Sequence, residues 1–600
     1  MLLDKINEVC NIKFESEQAL LIFYQQVLQD RVGDFRLDEI GPIMSVGSMD
    51  ELNGYINKIF TFNGKTVDMT DGLNWYSAAE GDLEWNGGLV RQGYFIYLAD
   101  EYEKTGDEKY AATIVEHMLD YINNVRVYNP DGKPYLEYKK STWRPFEAAG
   151  RAGENWPVAL AKIINSSSMT AQAFAQIFWS IYEHAVFLKK YHWKHGNHAV
   201  VEVAAMANIM MLFKEFKVSD DWIKYGVDFL VGIWDELFYT DGYSNEMSGA
   251  YHWVAMRSFY GLMEIALNNG YSLPQIFIKR LQLAGWAEYY QQKPDYSLPV
   301  TNDSNVGTCH KSQLIKIGKL IGDEYIQYRL SGGTEGVAPK HVSYFFPSTM
   351  LSIMRSDWTK DAIYASFDMG AWGSNHMNED QLNIEISAYG RNFITNSGRW
   401  RYTTSMGVDW IDQARYFKTT AAYNTVLVDG YNQMPEDASG FMQINDDYDY
   451  AKGVFRGGYG ELVKIDDPQK LQATGQSSTI EKRVDNVVHT REVIFIQRKF
   501  FLVRDTITFD GEHSAQQLWH TCDGAEFTIN GNVASTNFED ANLIIVQLRD
   551  ATVTKFRGSI EPFRGWNCPK YDKLVASDEL EYTKSGVGEI VFETLIYLSC

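Results

Sequence analysis

The chain has 600 residues, of which 45% are hydrophobic and 22% are charged, a composition typical of a soluble globular protein with two or more domains. Its formal net charge of −23 argues against a nucleic-acid partner, because a phosphate backbone is bound by a basic surface. The charge does not exclude an anionic substrate, since a cleft can be locally basic on an acidic protein.

The cysteines and the N-terminus bear on the compartment. The five cysteines are odd in number and scattered, without CxxC spacing, which argues against a disulfide framework or a zinc knuckle. The start, "MLLDKINEVC", carries acidic residues where a secretory signal needs an apolar run, and no stretch reaches transmembrane length. We therefore expect a cytoplasmic protein with no membrane partner, or a periplasmic or secreted one if a leader was removed. The oligomeric state is not indicated.

The first half of the chain is predicted to be helical. Four segments place apolar residues at helical spacing: "TAQAFAQIFWSIYEHAVFLKKY", "HAVVEVAAMANIMMLFKEF", "SDDWIKYGVDFLVGIWDELFY" and "GAYHWVAMRSFYGLMEIALNNG". They follow one another through short polar connectors, and the sequence offers no credible strand between them. The pattern is typical of stacked helical hairpins, as in a solenoid or a closed α/α toroid.

The pattern changes near Ser331–Pro347, where Gly and Pro cluster in "SGGTEGVAPKHVSYFFP". Beyond this point, β-branched and aromatic residues alternate in five segments: "DAIYASFDMG", "QLNIEISAYGRNFITNSG", "YNTVLVDGYNQ", "REVIFIQRKFFLVRDTITF" and "NLIIVQLRD". We predict two domains, a helical domain over residues 1–340 and an antiparallel β-sandwich over residues 341–600.

Several polar clusters are candidate sites, although each has an ordinary structural explanation. "KHGNHAVVEVAA" places Asn197 and His198 at a helix start, where Asn197 could simply be the N-cap. "DGYSNEMSGAYHWVAM" places Glu246 and Tyr251 at another, where a turn and an aromatic packing residue suffice. Arg151, in "STWRPFEAAGRAGENW", is explained equally well by a solvated helix face.

Taken together, the segments resemble the heparinase II/III-like polysaccharide lyases. The resemblance rests on six motifs in family order: "WNGGLVRQGYFIYLADEYEKTGDEKYA", "GRAGENW", "GNHAVVEVAA", "DGYSNEMSGAYHW", "HMNEDQLNIEISAYGRNFITNSG" and "AAYNTVLVDGYNQ". It spans the chain from about Trp75 to the sandwich strands. It implies an N-terminal α/α toroid, a C-terminal antiparallel β-sandwich, and β-elimination of an anionic polysaccharide or oligosaccharide that contains uronic acid.

The resemblance also implies residue roles. Asn197 and His376 would hold the uronate carboxylate, Tyr251 would be the general acid and, for one substrate epimer, also the base, and His198 would be the base or a second carboxylate contact. Such roles suit the reaction, because the C5 proton is weakly acidic until the carboxylate is neutralised. The weaker candidates for sugar binding are Arg151, Glu246, Arg415 and Tyr416.

The segment that begins at His376 departs from the family pattern. Where relatives present two histidines and an aspartate that commonly bind a metal in the sandwich, this chain has Asn378, Asn396 and Tyr423. Amides and a phenol are poor replacements for imidazole and carboxylate at a zinc-like site. We therefore expect no metal and no other cofactor, and a catalytic role for His376. The alternative is that His376 has only a structural role, as a hydrogen-bonded histidine at the start of a strand.

The sequence leaves two other functions open. A glycoside hydrolase on an α/α toroid would use two carboxylates, for which Asp241 and Glu246 are available. A lyase relative that binds carbohydrate without cleaving it is the other alternative. The sequence does not name the polysaccharide or indicate whether cleavage is internal or terminal.

Overall fold

The computed structural model describes residues 2–36, 48–62, 64–129, 131, 142–374, 376–400, 415–464, 478–522, 524–570 and 573–599. The chain folds into two compact units. The first comprises Met1–Leu237 and Val254–Leu281, and the second comprises Phe238–Trp253 and Gln282–Cys600. The first unit is mainly helical and the second contains the large sheets. The division into domains at residue 340 stays a prediction.

The first unit is built from α-helices and one π-helical segment, Gly150–Asn155. The α-helices are Leu2–Val9, Glu17–Val32, Met49–Ile56, Leu83–Arg91, Tyr94–Thr105, Glu108–Asn124, Pro145–Ala149, Trp156–Ile163, Ala171–Tyr191, Gly196–Leu212 and Ser219–Leu237. Two more helices, Gly249–Asn268 and Gln275–Gln291, include residues of both units. Among the described residues, no helix is long and apolar enough to cross a membrane.

Helices that follow each other in the chain pack together, as in helical hairpins. Gly196–Leu212 packs against both Ala171–Tyr191 and Ser219–Leu237. It is buried on nearly all sides, which explains why its sequence is apolar without a polar face. The backbones approach closely at Gly226, where an added Cβ would lie 2.8 Å from the Cβ of Ala207.

The first unit also contains a small β-hairpin that the sequence analysis did not predict. Strand Ile59–Phe62 pairs antiparallel with Lys65–Asp68. Phe60 and Phe62 point inward and are buried, and Phe62 packs edge-to-face on Trp85 with ring centroids 5.3 Å apart. The prediction of a helical first half therefore missed this hairpin, because four residues give too short an alternation to recognise.

The second unit carries two large antiparallel sheets. The five-stranded sheet is a meander of Tyr344–Phe346, Leu351–Arg355, Tyr364–Asp368, Ile384–Ala388 and Arg391–Ile394. The ten-stranded sheet has the order Ala438–Ile444, Tyr448–Phe455, Val488–Ile496, Phe500–His520, Asp578–Ser599, Asn542–Gln547, Val533–Ser535 and Thr528–Asn530, with Val426–Val428 paired to Phe500–His520 and Thr552–Arg557 paired to Asp578–Ser599.

Smaller elements complete this unit. The helices Lys311–Ile321 and Glu324–Leu330 precede the sheets. A three-stranded sheet has the order Ser478–Val484, Tyr459–Lys464 and Asn432–Gln433, and two hairpins pair Ser559–Ile560 with Phe563–Arg564 and Trp566–Lys570 with Lys573–Ala576.

The two large sheets share one apolar core. Phe367 and Ile386 of the five-stranded sheet belong to the same buried cluster as Val493, Phe495 and Val503 of the ten-stranded sheet. Burial alternates residue by residue along Val488–Ile496, as expected for a strand with one face inward. The second unit is therefore a β-sandwich, as predicted.

A buried ion pair anchors the loop that precedes Ile384–Ala388. Arg491 donates Nε and Nη2 to the two carboxylate oxygens of Asp505, at 2.7 and 2.9 Å. Its Nη1 donates to the backbone carbonyls of Leu382, at 2.8 Å, and Asn424, at 2.5 Å. Although burial opposes ionisation of Asp505, the charge of Arg491 and the hydrogen bond from His489 lower its pKa. The sandwich core thus holds the chain just beyond His376 in place.

Candidate active site

The rings of Tyr251 and His376 are stacked in the second unit. Their centroids are 3.7 Å apart and their planes differ by 14°. Tyr251 lies in the first turn of helix Gly249–Asn268, and His376 lies in the loop between Tyr364–Asp368 and Ile384–Ala388. The structure therefore brings together two of the four predicted catalytic residues, which are 125 positions apart in the sequence, counting from 251 to 376.

Asp303 contacts the His376 ring at its Nδ1 atom. Its Oδ2 lies 2.9 Å from Nδ1 of His376 and 3.6 Å from Nζ of Lys418. The Asp303 side chain is only 3% exposed, whereas that of His376 is 26% exposed. Burial opposes ionisation of Asp303, but the hydrogen bond from His376 and the charges of Lys418 and Arg399 outweigh it and lower the pKa of the carboxyl. Asp303 is therefore a carboxylate at neutral pH.

The neighbouring Asn302 bonds to the segments of both predicted catalytic residues. Its Nδ2 donates to the carbonyl of Met247, ahead of Tyr251, and its Oδ1 accepts from the backbone N–H of Asn378, each at 2.8 Å. Asn302 has a φ of 50°, Met247 of 48° and His376 of 64°. Non-glycine residues in this left-handed region are uncommon and cost free energy, and they cluster at functional sites.

Asn197 and His198 lie in the first unit. Helix Gly196–Leu212 begins one residue before Asn197, and the N-cap position is occupied by His195. The explanation of Asn197 as the N-cap was therefore wrong. The ring of His198 stacks on that of Phe146, with centroids 4.3 Å apart and planes at 29°. Asn197, with an amide side chain, and His198, with an imidazole, are thus neighbours in the first turn of this helix.

Two of the weaker candidates are buried and serve the fold. Arg151 has no exposed surface, and it donates to the carbonyl of Val90 at 2.7 Å and to Nε2 of His184 at 3.0 Å. Burial lowers the pKa of Arg151. Tyr416 is 5% exposed and belongs to a small apolar cluster, where burial and the charge of Glu579 raise the pKa of its phenol. Their contact with the sugar stays a prediction, and the burial of both side chains weighs against it.

The remaining weaker candidates lie in the second unit. Glu246 is 5% exposed in the turn before helix Gly249–Asn268, and its backbone N–H donates to Oγ of Ser244 at 3.3 Å. Arg415 forms an ion pair with the buried Glu379, three residues from His376. Both stay predictions as sugar contacts. Arg415 has the stronger position, because its side chain is partly exposed and cationic.

The three positions at which the resemblance places metal ligands do not fit a metal ion. Nδ2 of Asn378 donates to the hydroxyl of Tyr423 at 2.5 Å, and that hydroxyl donates to the carbonyl of Phe417 at 3.2 Å. Asn396 donates to the carboxylate of Glu385 at 3.1 Å and accepts from Asn424 at 3.2 Å. The three side chains are thus engaged in hydrogen bonds, Asn378 and Tyr423 with each other and Asn396 with Glu385 and Asn424. Within the described ranges, no three His, Cys, Asp or Glu side chains converge as a metal site.

Sequence reasoning missed Asp303, Asn302 and Lys418. The first two stand in the polar run "VTNDSNVG", which carries no helical or strand period and no familiar motif. The only available signal was the cluster of amide and acidic residues in a loop, which is too common to single out a site.

Comparison with known protein families covers nearly the whole chain. A model of the heparinase II/III N-terminus matches residues 11–323, and a model described as heparinase II/III-like, C-terminal, matches residues 338–592. A heparin-sulfate lyase of Pedobacter heparinus is 23% identical over 605 residues, covering 97% of this chain and 85% of that protein. A heparin-sulfate lyase of Bacteroides thetaiotaomicron is 26% identical over 545 residues, covering 85% and 72%.

Solved structures show the same fold. A crystal structure of heparinase III superposes with a TM-score of 0.80 at 21% identity, covering 99% of this chain and 93% of that one. The likeness confirms the predicted fold class, a helical α/α toroid followed in the chain by an antiparallel β-sandwich.

Proposed function

The chain belongs to the heparinase II/III family, and on this premise we propose that it is a polysaccharide lyase that cleaves a uronic-acid-containing glycan by β-elimination. The observation that carries the proposal is the stack of Tyr251 on His376, with Asp303 behind the imidazole. It places a phenol and an imidazole side by side, the two kinds of group that the reaction needs at one sugar ring.

The chemistry defines what each group must do. The C5–H bond breaks, its electron pair forms the C4=C5 double bond, and the C4–O4 bond breaks as O4 takes up a proton. The enolate-like intermediate carries extra charge on the C6 carboxylate, so hydrogen-bond donors there lower the barrier. A proton donor near O4 and a base near C5 complete the site.

We assign these groups to the residues that the family resemblance implies. His376 is the proposed donor for the carboxylate, and the resemblance of its motif assigns Asn197 the same role. Tyr251 can protonate O4 through its phenol, and for one epimer at C5 the same oxygen, as phenolate, can first remove the C5 proton. His198 is the alternative base or a second carboxylate contact. Tyr251 and His376 have the stronger support, because their rings are in contact and Asn302 bonds to the backbone near each of them, at Met247 and at Asn378.

We propose heparan sulfate or a similar sulfated glycosaminoglycan as the substrate class. Support comes from two relatives that are named heparin-sulfate lyases. On a chain with a net charge of −23, an anionic polymer requires local cations. Lys418 and Arg415 are partly exposed cations in the segment that flanks Asp303 and Glu379.

The environment of Asp241 argues against the hydrolase alternative. One of its carboxylate oxygens accepts from the backbone N–H groups of Ser348 and Thr349, each at 2.9 Å, and from the Thr349 hydroxyl at 3.1 Å. A carboxylate engaged in this way stabilises a turn and is poorly placed to act on a sugar. The non-catalytic alternative is less favoured because the left-handed backbone of His376 is costly to keep without a function.

The test is a substrate screen. The purified chain is incubated with heparan sulfate, chondroitin sulfate, alginate and a neutral glucan, and ultraviolet absorbance of the conjugated 4,5-unsaturated uronate is followed. We expect absorbance to rise with a sulfated glycosaminoglycan and to stay flat with the neutral glucan. Cleavage without new absorbance would support the hydrolase, and binding without cleavage the non-catalytic relative.

A further inference from the structure

We propose that Lys418 is a specificity-determining residue that binds a sulfate group on the sugar next to the cleaved uronate. The assignment rests on the proposed β-elimination, and it names the residue that gives the enzyme its preference for a sulfated glycan. Three features of the structure support it: the position of the Lys418 ammonium group, the way its turn is held, and the direction in which the nearby charges face.

Lys418 lies beside the stacked pair of Tyr251 and His376. Its Nζ is 3.6 Å from Oδ2 of Asp303, and the same oxygen is 2.9 Å from Nδ1 of His376. The ammonium group and the imidazole thus meet at one carboxylate oxygen, within the same compact unit. A glycan that is bound at His376 is therefore within reach of the Lys418 ammonium group.

The turn that carries Lys418 is held in place by Glu379. The backbone N–H of Glu379 donates to the carbonyl of Lys418 at 3.0 Å, and the hydroxyl of Thr420 donates to the carbonyl of Glu379 at 2.7 Å. The backbone N–H of Lys418 donates to the carbonyl of Arg415 at 2.9 Å, and the Arg415 side chain pairs with the Glu379 carboxyl. Because Glu379 follows His376 by three residues, the segment that bears His376 also positions Lys418.

The charges of this surface have their cations outward and their carboxyls inward. The side chains of Lys418 and Arg415 are 46% and 19% exposed, whereas those of Asp303 and Glu379 are 3% and 5% exposed. Burial raises the pKa of the Glu379 carboxyl despite the nearby charge of Arg415, which further reduces the negative charge here. A ligand from solution therefore meets cationic groups first, although the whole chain has a net charge of −23.

The chemistry of the glycan identifies the group that Lys418 takes. In a glycosaminoglycan the uronate alternates with a hexosamine, so the sugar next to the cleaved uronate has no carboxylate, and its anionic groups are sulfates. The carboxylate of the uronate itself is the group proposed for His376 and Asn197. A lysine ammonium is a compact charge with three donors on a flexible stem, which suits a sulfate that occupies different positions on different sugars.

The test compares one glycan with and without its sulfate groups. Initial rates are measured on heparan sulfate and on the same glycan after chemical desulfation, for wild type, Lys418→Met and Lys418→Arg. The methionine removes the charge and keeps most of the length of the side chain, whereas the arginine keeps the charge. Lys360→Met, at an exposed lysine of the same unit, controls for the change of net charge. Circular dichroism checks that each variant is folded.

A binding measurement separates this inference from the proposed function. The affinities for a heparan sulfate hexasaccharide and for its desulfated form are measured by calorimetry at low and at high salt. The protein carries Tyr251→Phe, so that cleavage is slow, and it is compared with the double variant that also carries Lys418→Met.

The expected result is a lower preference for the sulfated glycan in Lys418→Met. The ratio of kcat/KM on heparan sulfate to kcat/KM on the desulfated glycan should fall by about 10-fold, mainly through a higher KM on heparan sulfate. Lys418→Arg should recover most of the preference, and Lys360→Met should leave it unchanged. In the binding measurement, Lys418→Met should weaken the affinity for the sulfated hexasaccharide, and salt should lower the remaining affinity less steeply, because salt then screens one charge contact fewer.

Two results would overturn the inference. One is an unchanged preference for the sulfated glycan in folded Lys418→Met. The other is an equal loss with both glycans, which would make Lys418 a contact of the reacting carboxylate or a support of the fold. If wild type cleaves neither glycan, the proposed function fails, but the binding measurement still decides whether Lys418 recognises sulfate. If Lys418→Met does not fold, Lys418→Gln, which keeps a hydrogen-bond donor for Asp303, takes its place in both measurements.

Discussion

The ring of Tyr251 lies parallel to the ring of His376, with 3.7 Å between the centroids and 14° between the planes. The contact joins a helix start to a loop of the sandwich within one compact unit. A phenol and an imidazole held in this way are available to neighbouring positions of one sugar, and groups that are positioned before the substrate binds lower the entropic cost of a reaction.

The first prediction concerns the Tyr251 hydroxyl. Tyr251→Phe keeps the stacked ring and removes only the proton donor. We expect kcat to fall by roughly 10²–10⁴-fold, the usual contribution of a positioned acid or base, with little change in binding. The measurement is initial rate against substrate concentration, with Tyr597→Phe as a control for the same chemical change on an exposed strand residue. Near-normal turnover in folded Tyr251→Phe would remove this residue from the mechanism.

The second prediction concerns Asn197 and His376, the two proposed donors for the carboxylate. Because their hydrogen bonds strengthen as the carboxylate gains enolate character, Asn197→Ala and His376→Ala should lower kcat more than they raise KM. A loss of roughly 10²-fold or more is expected for each donor. A variant that changes only KM would show that its residue binds the ground state without assisting the reaction.

The third prediction concerns the positions that carry metal ligands in the family pattern. Asn378 and Tyr423 bond to each other, and Asn396 bonds to Asn424 and Glu385. Treatment with a chelator should therefore change neither the melting temperature nor kcat, and elemental analysis should find no stoichiometric zinc or calcium. A chelator-induced loss of stability that added divalent ions reverse would contradict this interpretation of the substitutions.

The fourth prediction concerns a buried acid in the sandwich. Burial raises the pKa of Asp368 to about 7, against about 3.9 in an unfolded chain. The folded state thus keeps a proton that the unfolded state loses, so stability falls as pH rises from about 4 to about 7. Asp368→Asn, which keeps the acceptor for the backbone N–H of Gly370, should remove at least about 1 kcal/mol of this fall.

The measurement for Asp368 is chemical unfolding at pH 4, 5.5 and 7. Asp380→Asn should act in the same direction, because burial and the charge of Asp368 raise the pKa of Asp380. The exposed Asp510→Asn serves as the control for the change of net charge. Parallel stability curves for wild type and Asp368→Asn would show that Asp368 is ionised in the folded protein.

The helical and sheet-rich halves were predictable because their elements are long and periodic. "TAQAFAQIFWSIYEHAVFLKKY" predicts a helix that the structure has as Ala171–Tyr191, capped by the Thr170 hydroxyl. The hairpin Ile59–Phe62 with Lys65–Asp68 was missed because each strand has four residues. Periodicity needs several repeats before it separates a strand from a connector.

The sequence indicates candidate site residues only where a family motif contains them. Asn197, His198, Tyr251 and His376 stand in ordered family motifs, whereas Asp303 stands in an unremarked loop and meets His376 across 73 positions of the sequence. Arg151 shows what a motif leaves open, because the motif contains this residue but does not reveal that its guanidinium is buried against Val90 and His184. A sequence pattern indicates which residues matter, but burial decides whether a side chain can touch the substrate.

The most direct test of β-elimination is the mass balance of the products from a defined heparan sulfate tetrasaccharide. Elimination adds no water, so we expect two fragments whose masses sum to that of the substrate, with the unsaturated bond on the fragment that carries the new non-reducing end. The folded Tyr251→Phe variant should yield the same fragments far more slowly. Fragments whose masses sum to the substrate plus one water molecule would show hydrolysis and would contradict the account.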